Sequence, residues 1–192
     1  MPLFVIRSLQ KVIVFASTNH KKYCEVQSIL STYDRITVDF VQTELTEVQS
    51  DSLEGIAKEK AKDAFNKVAR PVIVEDDGLF IDTLDGFPGP YSSYVFKTIG
   101  NAGILKLLSD LSSRSASFRS MIAFHDGKDL SIFEGKIDGR ISDRIMEGGW
   151  GYDPIFVPAG TNLTFAKLKD EKNKYSHRKM ALEKFARWYL KL

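Results

Sequence analysis

Val72-Ile73-Val74-Glu75-Asp76-Asp77-Gly78 is the stretch on which the reading of this chain turns. Three consecutive β-branched residues after Pro71 predict a buried strand, because branching at Cβ suits an extended backbone packed on both sides. Three carboxylates then follow without a break. Carboxylates leaving a buried strand are costly unless something compensates their charge. The expectation is therefore a strand that ends in an acidic edge, with Gly78 free to turn the chain. Residues 79–84 read as a further strand, closed by Asp85-Gly86.

Upstream, residues 11–16 (KVIVFA) form a short β-branched run that reads as another buried strand. Ser17-Thr18-Asn19 leads into a helical stretch with Tyr23, Val26, Ile29 and Leu30 on one face, and residues 36–41 read as a strand. Asp51 is placed to cap the next helix, with Glu54 as its capping-box partner. Leu53, Ile56, Ala57, Ala61, Ala64, Phe65 and Val68 then recur at helical spacing until Pro71 stops them.

Downstream, Phe87-Pro88-Gly89-Pro90 reads as a rigid loop and residues 102–108 as a short helix. Asp126-Gly127, between residues 117–124 and 130–137, is a strong hairpin signal. Residues 147–158 are punctuated by Gly and Pro around Trp150. The last helix is expected to start at Ser176 as N-cap and to bury Met180, Leu182, Phe185, Trp188 and Tyr189. Strands and helices alternate early, and antiparallel strands cluster late. This predicts an α/β protein with a long twisted mixed sheet and flanking helices, its two lobes surrounding a central cleft, in a single domain over residues 1–192.

Composition narrows the function classes. The chain has 192 residues, 43% hydrophobic and 27% charged, ordinary values for a globular protein. Its 27 basic and 25 acidic residues give a net charge of +2, which argues against a stable nucleic-acid partner. No apolar run approaches the roughly 20 residues that span a bilayer, so no membrane partner is expected. Residues 1–9 are mildly apolar, but too short and without the cleavage site of a signal peptide. Cys24 is the only cysteine, so no internal disulfide forms, and a reducing, cytoplasmic setting fits.

Four constellations carry possible chemistry. Ser17-Thr18-Asn19-His20-Lys21-Lys22 lies between a strand and a helix, where free N–H groups and lysine charge suit a triphosphate. It lacks the glycines of a Walker loop, and an ordinary capped turn with solvated lysines fits it as well. Glu44, Glu47 and Glu75-Asp76-Asp77 offer oxygen ligands for magnesium shared with phosphates, or acids paired with nearby lysines. Trp150, between Gly149 and Gly151 and followed by Tyr152-Asp153-Pro154, suits stacking on a flat ring; packing on the sheet is the plainer alternative. Ser176-His177-Arg178, after Lys172 and Lys174, presents an arginine fork suited to an oxo group or phosphate, or simply a capped helix with exposed bases. His20, His125 and His177 have no zinc-ligand spacing, and no nucleophile elbow is present.

Together these segments resemble the inosine triphosphate pyrophosphatase family, from about residue 11 onward. The resemblance rests on five ordered blocks: residues 17–22, 74–79, 85–92, 148–156, and Glu171-Lys172-Asn173 with Ser176-His177-Arg178. It implies an elongated α/β fold with a cleft, a homodimer, a magnesium requirement, and hydrolysis of non-standard purine triphosphates (ITP, dITP and XTP) to the monophosphate and pyrophosphate. Carried across by residue, Ser17, Thr18, Asn19, His20, Lys21 and Lys22 would hold the triphosphate. Glu47 and Asp76 would serve the metal, with Asp76 also the proton acceptor for the attacking water. Trp150 would cover the base, with Gly151, Tyr152, Asp153, Lys172, His177 and Arg178 around base and phosphates. Two positions depart from the pattern: Asp77 stands where Ser or Thr is common, and Lys167 where Glu is common. Asp77 is expected beside the metal, acting through water. A pyrophosphatase for modified pyrimidine triphosphates and a non-catalytic nucleotide-binding module are the rival readings; the acidic cluster disfavours the second, since carboxylates repel phosphates unless a metal lies between.

Overall fold

The computed structural model describes residues 10–192, other than the side chain of Asp170; the apolar stretch at residues 1–9 lies outside the described residues. The first half alternates: β1 (Lys11–Ala16), α1 (His20–Leu30), β2 (Ile36–Val41), α2 (Leu53–Val68) and β3 (Val72–Ile81). β1 lies between β2 and β3 and is parallel to both. After α3 (Ser92–Thr98) and α4 (Gly100–Leu107) come the antiparallel strands β4 (Ser115–His125), β5 (Leu130–Ile141) and β6 (Phe156–Pro158), then α5 (Phe165–Leu168) and α6 (His177–Tyr189). The sheet order is β2-β1-β3-β4-β5-β6, a mixed sheet of α/β class, as expected. No helix among the described residues is long and apolar enough to cross a membrane.

β3 differs from its expected form in the way that matters most. It does not end at the acids. It runs for 10 residues through them and through Gly78. The reason is non-local: β4 pairs with it without interruption from Val72↔His125 to Ile81↔Ala116. Gly78 turns nothing. A Cβ there would sit 2.5 Å from the carbonyl oxygen of Gly89, so the glycine permits close backbone approach.

The two long strands carry the division into lobes. On β3, Ile73 and Val74 belong to one end of the molecule, and Leu79 and Ile81 to the other. β4 repeats the arrangement, with Ile122, Ala123 and Phe124 at the first end and Ala116 and Phe118 at the second. At the first end, Ile13, Phe15 and Ile73 pack on α1 and α6, while Val14 and Val74 pack on Ala57, Ala61 and Ala64 of α2. At the second, Phe118, Ile141, Phe156 and Phe165 pack with Ile104. Glu75, Asp76, Asp77 and Ser120 cross the sheet between these cores, and form its waist.

Local expectations fared unevenly. Ser52, not Asp51, caps α2: its Oγ accepts from the Gly55 N–H at 3.2 Å, whereas Glu54 pairs with Lys58 at 2.5 Å. A cap must reach the N–H three residues on, and Asp51 lies one position too early. The hairpin forms as expected, with Asp126 Oδ1 accepting from the N–H groups of Lys128 and Asp129 at 2.9 and 2.8 Å. Ser176 caps α6, but Met180 and Trp188 are only half-buried, and Ala181 and Ala186 fill the core instead. α3 went unforeseen because its seven residues bury only Ser92 and Val95, too few for a helical pattern.

Candidate active site

Side chains on a strand alternate between faces. Glu75 and Asp77 therefore share one face of β3, and Asp76 takes the other.

On the first face the organising group is Arg178, at the second position of α6 and 1% exposed. A guanidinium so buried needs several acceptors. Its Nε lies 2.8 and 2.9 Å from the two Glu75 carboxylate oxygens, its Nη2 lies 3.0 Å from Asp77 Oδ2, and its Nη1 donates to Glu25 Oε2. Ser120 Oγ donates to Glu75 Oε1 at 2.6 Å. Lys22 Nζ contacts Asp77 Oδ1 at 2.5 Å and stands 3.6 Å from Glu75 Oε2. The turn before α1 positions that lysine: Ser17 Oγ accepts from the Asn19 N–H, and Asn19 Oδ1 accepts from the N–H groups of Lys21 and Lys22.

Glu25, one turn further along α1, links this cluster to the aromatic loop. Its Oε1 accepts from Trp150 Nε1 and from Lys172 Nζ, each at 2.9 Å, and Lys172 also meets Asp153 Oδ2 at 2.9 Å. Burial would raise the Glu25 carboxyl, but Arg178 and Lys172 overcome it and hold the group at about 2. The Trp150 loop is made by Gly148, Gly149 and Gly151, with φ of 97°, 68° and 58°, a region side-chain-bearing residues seldom enter. Lys172 Nζ and Arg178 Cζ lie 5.3 and 5.4 Å from the centre of the indole. A cavity of about 380 Å³ opens beside the ring, lined among others by Glu25, Asp153, Phe165 and Lys167. A slightly larger one, about 420 Å³, lies at Arg140, Arg144 and Lys167 and touches none of the carboxylates of the waist.

The other face is simpler. Lys60 Nζ sits between Asp76 Oδ1 at 2.6 Å and Glu47 Oε1 at 3.0 Å. Asp76 is nearly buried, while the Glu47 side chain is 72% exposed. Burial holds the Asp76 carboxyl above its ordinary value against the pull of Lys60 and Lys22. Two carboxylates from separate segments thus converge on one cation, an arrangement that also fits a divalent ion. Among the described residues no three His, Cys, Asp or Glu side chains form a metal-holding group. A magnesium ion here would complete its shell with water and phosphate oxygens, which is its usual habit.

Of the residues expected in the site, Lys22, Asp77, Trp150, Asp153, Lys172 and Arg178 are joined in one network, and Glu47 and Asp76 in a second. Asp77 does not sit with Asp76 and Glu47; the alternation of β3 sends it to the opposite face. Tyr152 is turned into the second core, its hydroxyl donating to the Ser92 carbonyl at 2.9 Å. His177 is likewise buried, stacked on Phe118 at 4.6 Å, and burial together with Arg178 lowers its pKa to about 3. Thr18, His20 and Lys21 are exposed, the His20 ring lying against Tyr23 and Phe40. The Gly151 carbonyl accepts from Asn101 Nδ2 at 3.1 Å.

Sequence reasoning missed Glu25, Lys60 and Ser120, and named Glu75 only as part of the acidic run. Two of these left a signal. Lys60 occupies the apolar stripe of α2, with Ile56, Ala57, Ala61 and Ala64, where a solvated lysine has no place. Glu25 stands three residues after Lys22, on the same side of α1.

Fold and site define an α/β protein whose waist joins a network of paired carboxylates and cations to an aromatic ring. The chain belongs to the Ham1 family, whose model matches residues 13–188. It is 51% identical over 180 residues to a dITP/XTP pyrophosphatase of Methanopyrus kandleri, covering 92% of this chain and 95% of that one. It is 45% identical to a dITP/XTP pyrophosphatase of Hyperthermus butylicus, covering 93% and 94%. Its fold matches the solved structure of a HAM1 protein from Coxiella burnetii with a TM-score of 0.82 at 30% identity, covering 96% of this chain and 100% of that one.

Proposed function

We propose that this chain hydrolyses non-standard purine nucleoside triphosphates (ITP, dITP and XTP) to the monophosphate and pyrophosphate, with magnesium. The observation that carries this reading is that the Trp150–Glu25–Lys172–Arg178 network and the Asp76–Lys60–Glu47 cluster are anchored on consecutive residues of β3, with the Lys22 charge acting on both Asp76 and Glu47. A flat base stacks on Trp150, which supplies about 1–3 kcal/mol. The α1 turn and Lys22 hold the phosphates. Asp76 and Glu47 hold magnesium, which when bound neutralises phosphate charge and makes pyrophosphate a better leaving group. Asp76 orients water toward the α-phosphorus and takes its proton.

The choice of base follows from a donor inventory. After its carboxylate contacts, each Nη of Arg178 keeps one N–H, and Lys172 keeps one more. These suit a 6-oxo acceptor. The 6-amino group of adenine would leave them unpaired, a strongly discriminating mismatch. The reading extends to a homodimer, supported by the exposed Phe87, Tyr91, Tyr94, Phe96 and Ile99, and to a cytoplasmic setting, supported by the lone Cys24.

The test is product analysis. Incubation with ITP and magnesium should yield IMP, with inorganic phosphate appearing only when an inorganic pyrophosphatase is added. Phosphate and IDP formed without that helper would show that the wrong bond has been assigned.

A further inference from the structure

The two carboxylates on the Arg178 face of β3 are not equivalent. Glu75 is deep, its side chain at 0% exposure, with Arg178 Nε and Ser120 Oγ as partners. Asp77 stands nearer the cleft, at 19% side-chain exposure, and its two oxygens divide between two cations: Oδ1 on Lys22 Nζ at 2.5 Å, Oδ2 on Arg178 Nη2 at 3.0 Å. Lys22 has no other side-chain hydrogen bond among the described residues, since Glu75 Oε2 is 3.6 Å away. The lysine assigned above to the phosphates is thus already engaged by a bidentate anion.

We propose that the Asp77 carboxylate is a built-in occupant of the phosphate subsite, holding Lys22 and Arg178 until a substrate phosphate displaces it, and so selects against metal-free polyphosphate. The inference rests on the reading of Lys22 as a phosphate ligand. Asp77 cannot leave by a backbone movement, because it lies mid-strand, paired with Ser120 in the β3–β4 ladder. Only rotation of its side chain frees the cations, and it remains tethered beside them. A tethered competitor acts at high effective concentration, and the apparent affinity of a ligand falls by the fraction of time the site is open. Charge works in the same direction. The network holds three cations (Lys22, Lys172, Arg178) against four carboxylates (Glu25, Glu75, Asp77, Asp153). A bare polyphosphate therefore meets a site of net negative charge, whereas a magnesium-bound triphosphate brings part of its own neutralisation.

The experiment is calorimetric titration of the full chain with inorganic tripolyphosphate in EDTA, comparing the parent protein with Asp77→Asn, Asp77→Ser and Lys22→Ala. Asp77→Asn keeps the size of the side chain, and Arg178 keeps Glu75 and Glu25, so the fold is retained. The expected result is binding tighter by about tenfold or more in both Asp77 variants. Tripolyphosphate should also raise the melting temperature of Asp77→Asn more than that of the parent, because a ligand stabilises in proportion to its occupancy. Equal or weaker binding by both Asp77 variants overturns the proposal and leaves Asp77 a structural clamp. Lys22→Ala separates the two readings: if it leaves tripolyphosphate affinity unchanged, the phosphate assignment itself fails, whatever Asp77 does.

Discussion

At the waist, the two faces of β3 hold their carboxylates in opposite ways. On the α6 side, Glu75 and Asp77 are held by a guanidinium at 1% exposure and by a lysine at 14%. On the α2 side, Asp76 meets one ammonium, whose other partner, Glu47, is mostly in solvent. A buried, multiply bonded ion cluster is costly to open, because each partner left behind is an uncompensated charge. A cation bridging a nearly buried and an exposed carboxylate exchanges far more readily. Neighbouring acids in one run thus differ in setting: Glu75 is locked between Arg178 and Ser120, whereas Asp76 has a single ammonium partner, the setting that the proposed reading assigns to metal and water.

This contrast can be broken by mutation. The largest effect is expected at Asp76: Asp76→Ala should lower ITP turnover by roughly three or more orders of magnitude while the protein stays folded. Turnover near the parent's in a magnesium assay would place the chemistry elsewhere. Glu75→Ala should act on the fold instead. Breaking a buried pair costs roughly 3–5 kcal/mol, a fall in melting temperature of about 6–20 °C for a chain of this size. A melting curve superimposable on the parent's would contradict the structural role of that face. Trp150→Ala should raise the Michaelis constant for ITP by about 5- to 150-fold, the equivalent of its stacking energy, with a smaller change in turnover number. The smallest expected stability change is at Glu47: losing an exposed ion pair costs under about 1 kcal/mol, so Glu47→Gln should melt within about 2–4 °C of the parent. The same variant should need more magnesium for half-maximal rate, and an unchanged magnesium midpoint would remove Glu47 from the metal's surroundings.

Arg178 shows where a sequence argument needs its tertiary setting. From the sequence it reads either as a fork suited to an oxo group or phosphate or as an exposed base on a capped helix. In the structure it is the hub for Glu25, Glu75 and Asp77, so its removal would disturb stability and recognition together. Trp150 and its glycines, by contrast, were legible, because positive φ values and a ring with little local support leave their mark in composition.

What the sequence by itself determined is what local rules govern. The β-branched runs at β1 and β3, the apolar stripe of α2, the Asp126-Gly127 hairpin and the Ser176 cap each depend on residues within a few positions of one another, and each formed. The five ordered blocks likewise pointed to the family the chain belongs to. The tertiary structure alone decided how far β3 runs, which face each of its acids takes, and that Glu25 and Lys60 belong to the site. Those outcomes depend on pairing with β4, about 45 residues away in register (Glu75↔Ile122, Asp77↔Ser120), and on helices packed from both sides. Side chains on a strand alternate with period 2, so the same three acids serve one face or two according to whether the strand continues. That is settled by the hydrogen-bond ladder of a distant segment, on which the run Glu75-Asp76-Asp77-Gly78 is silent.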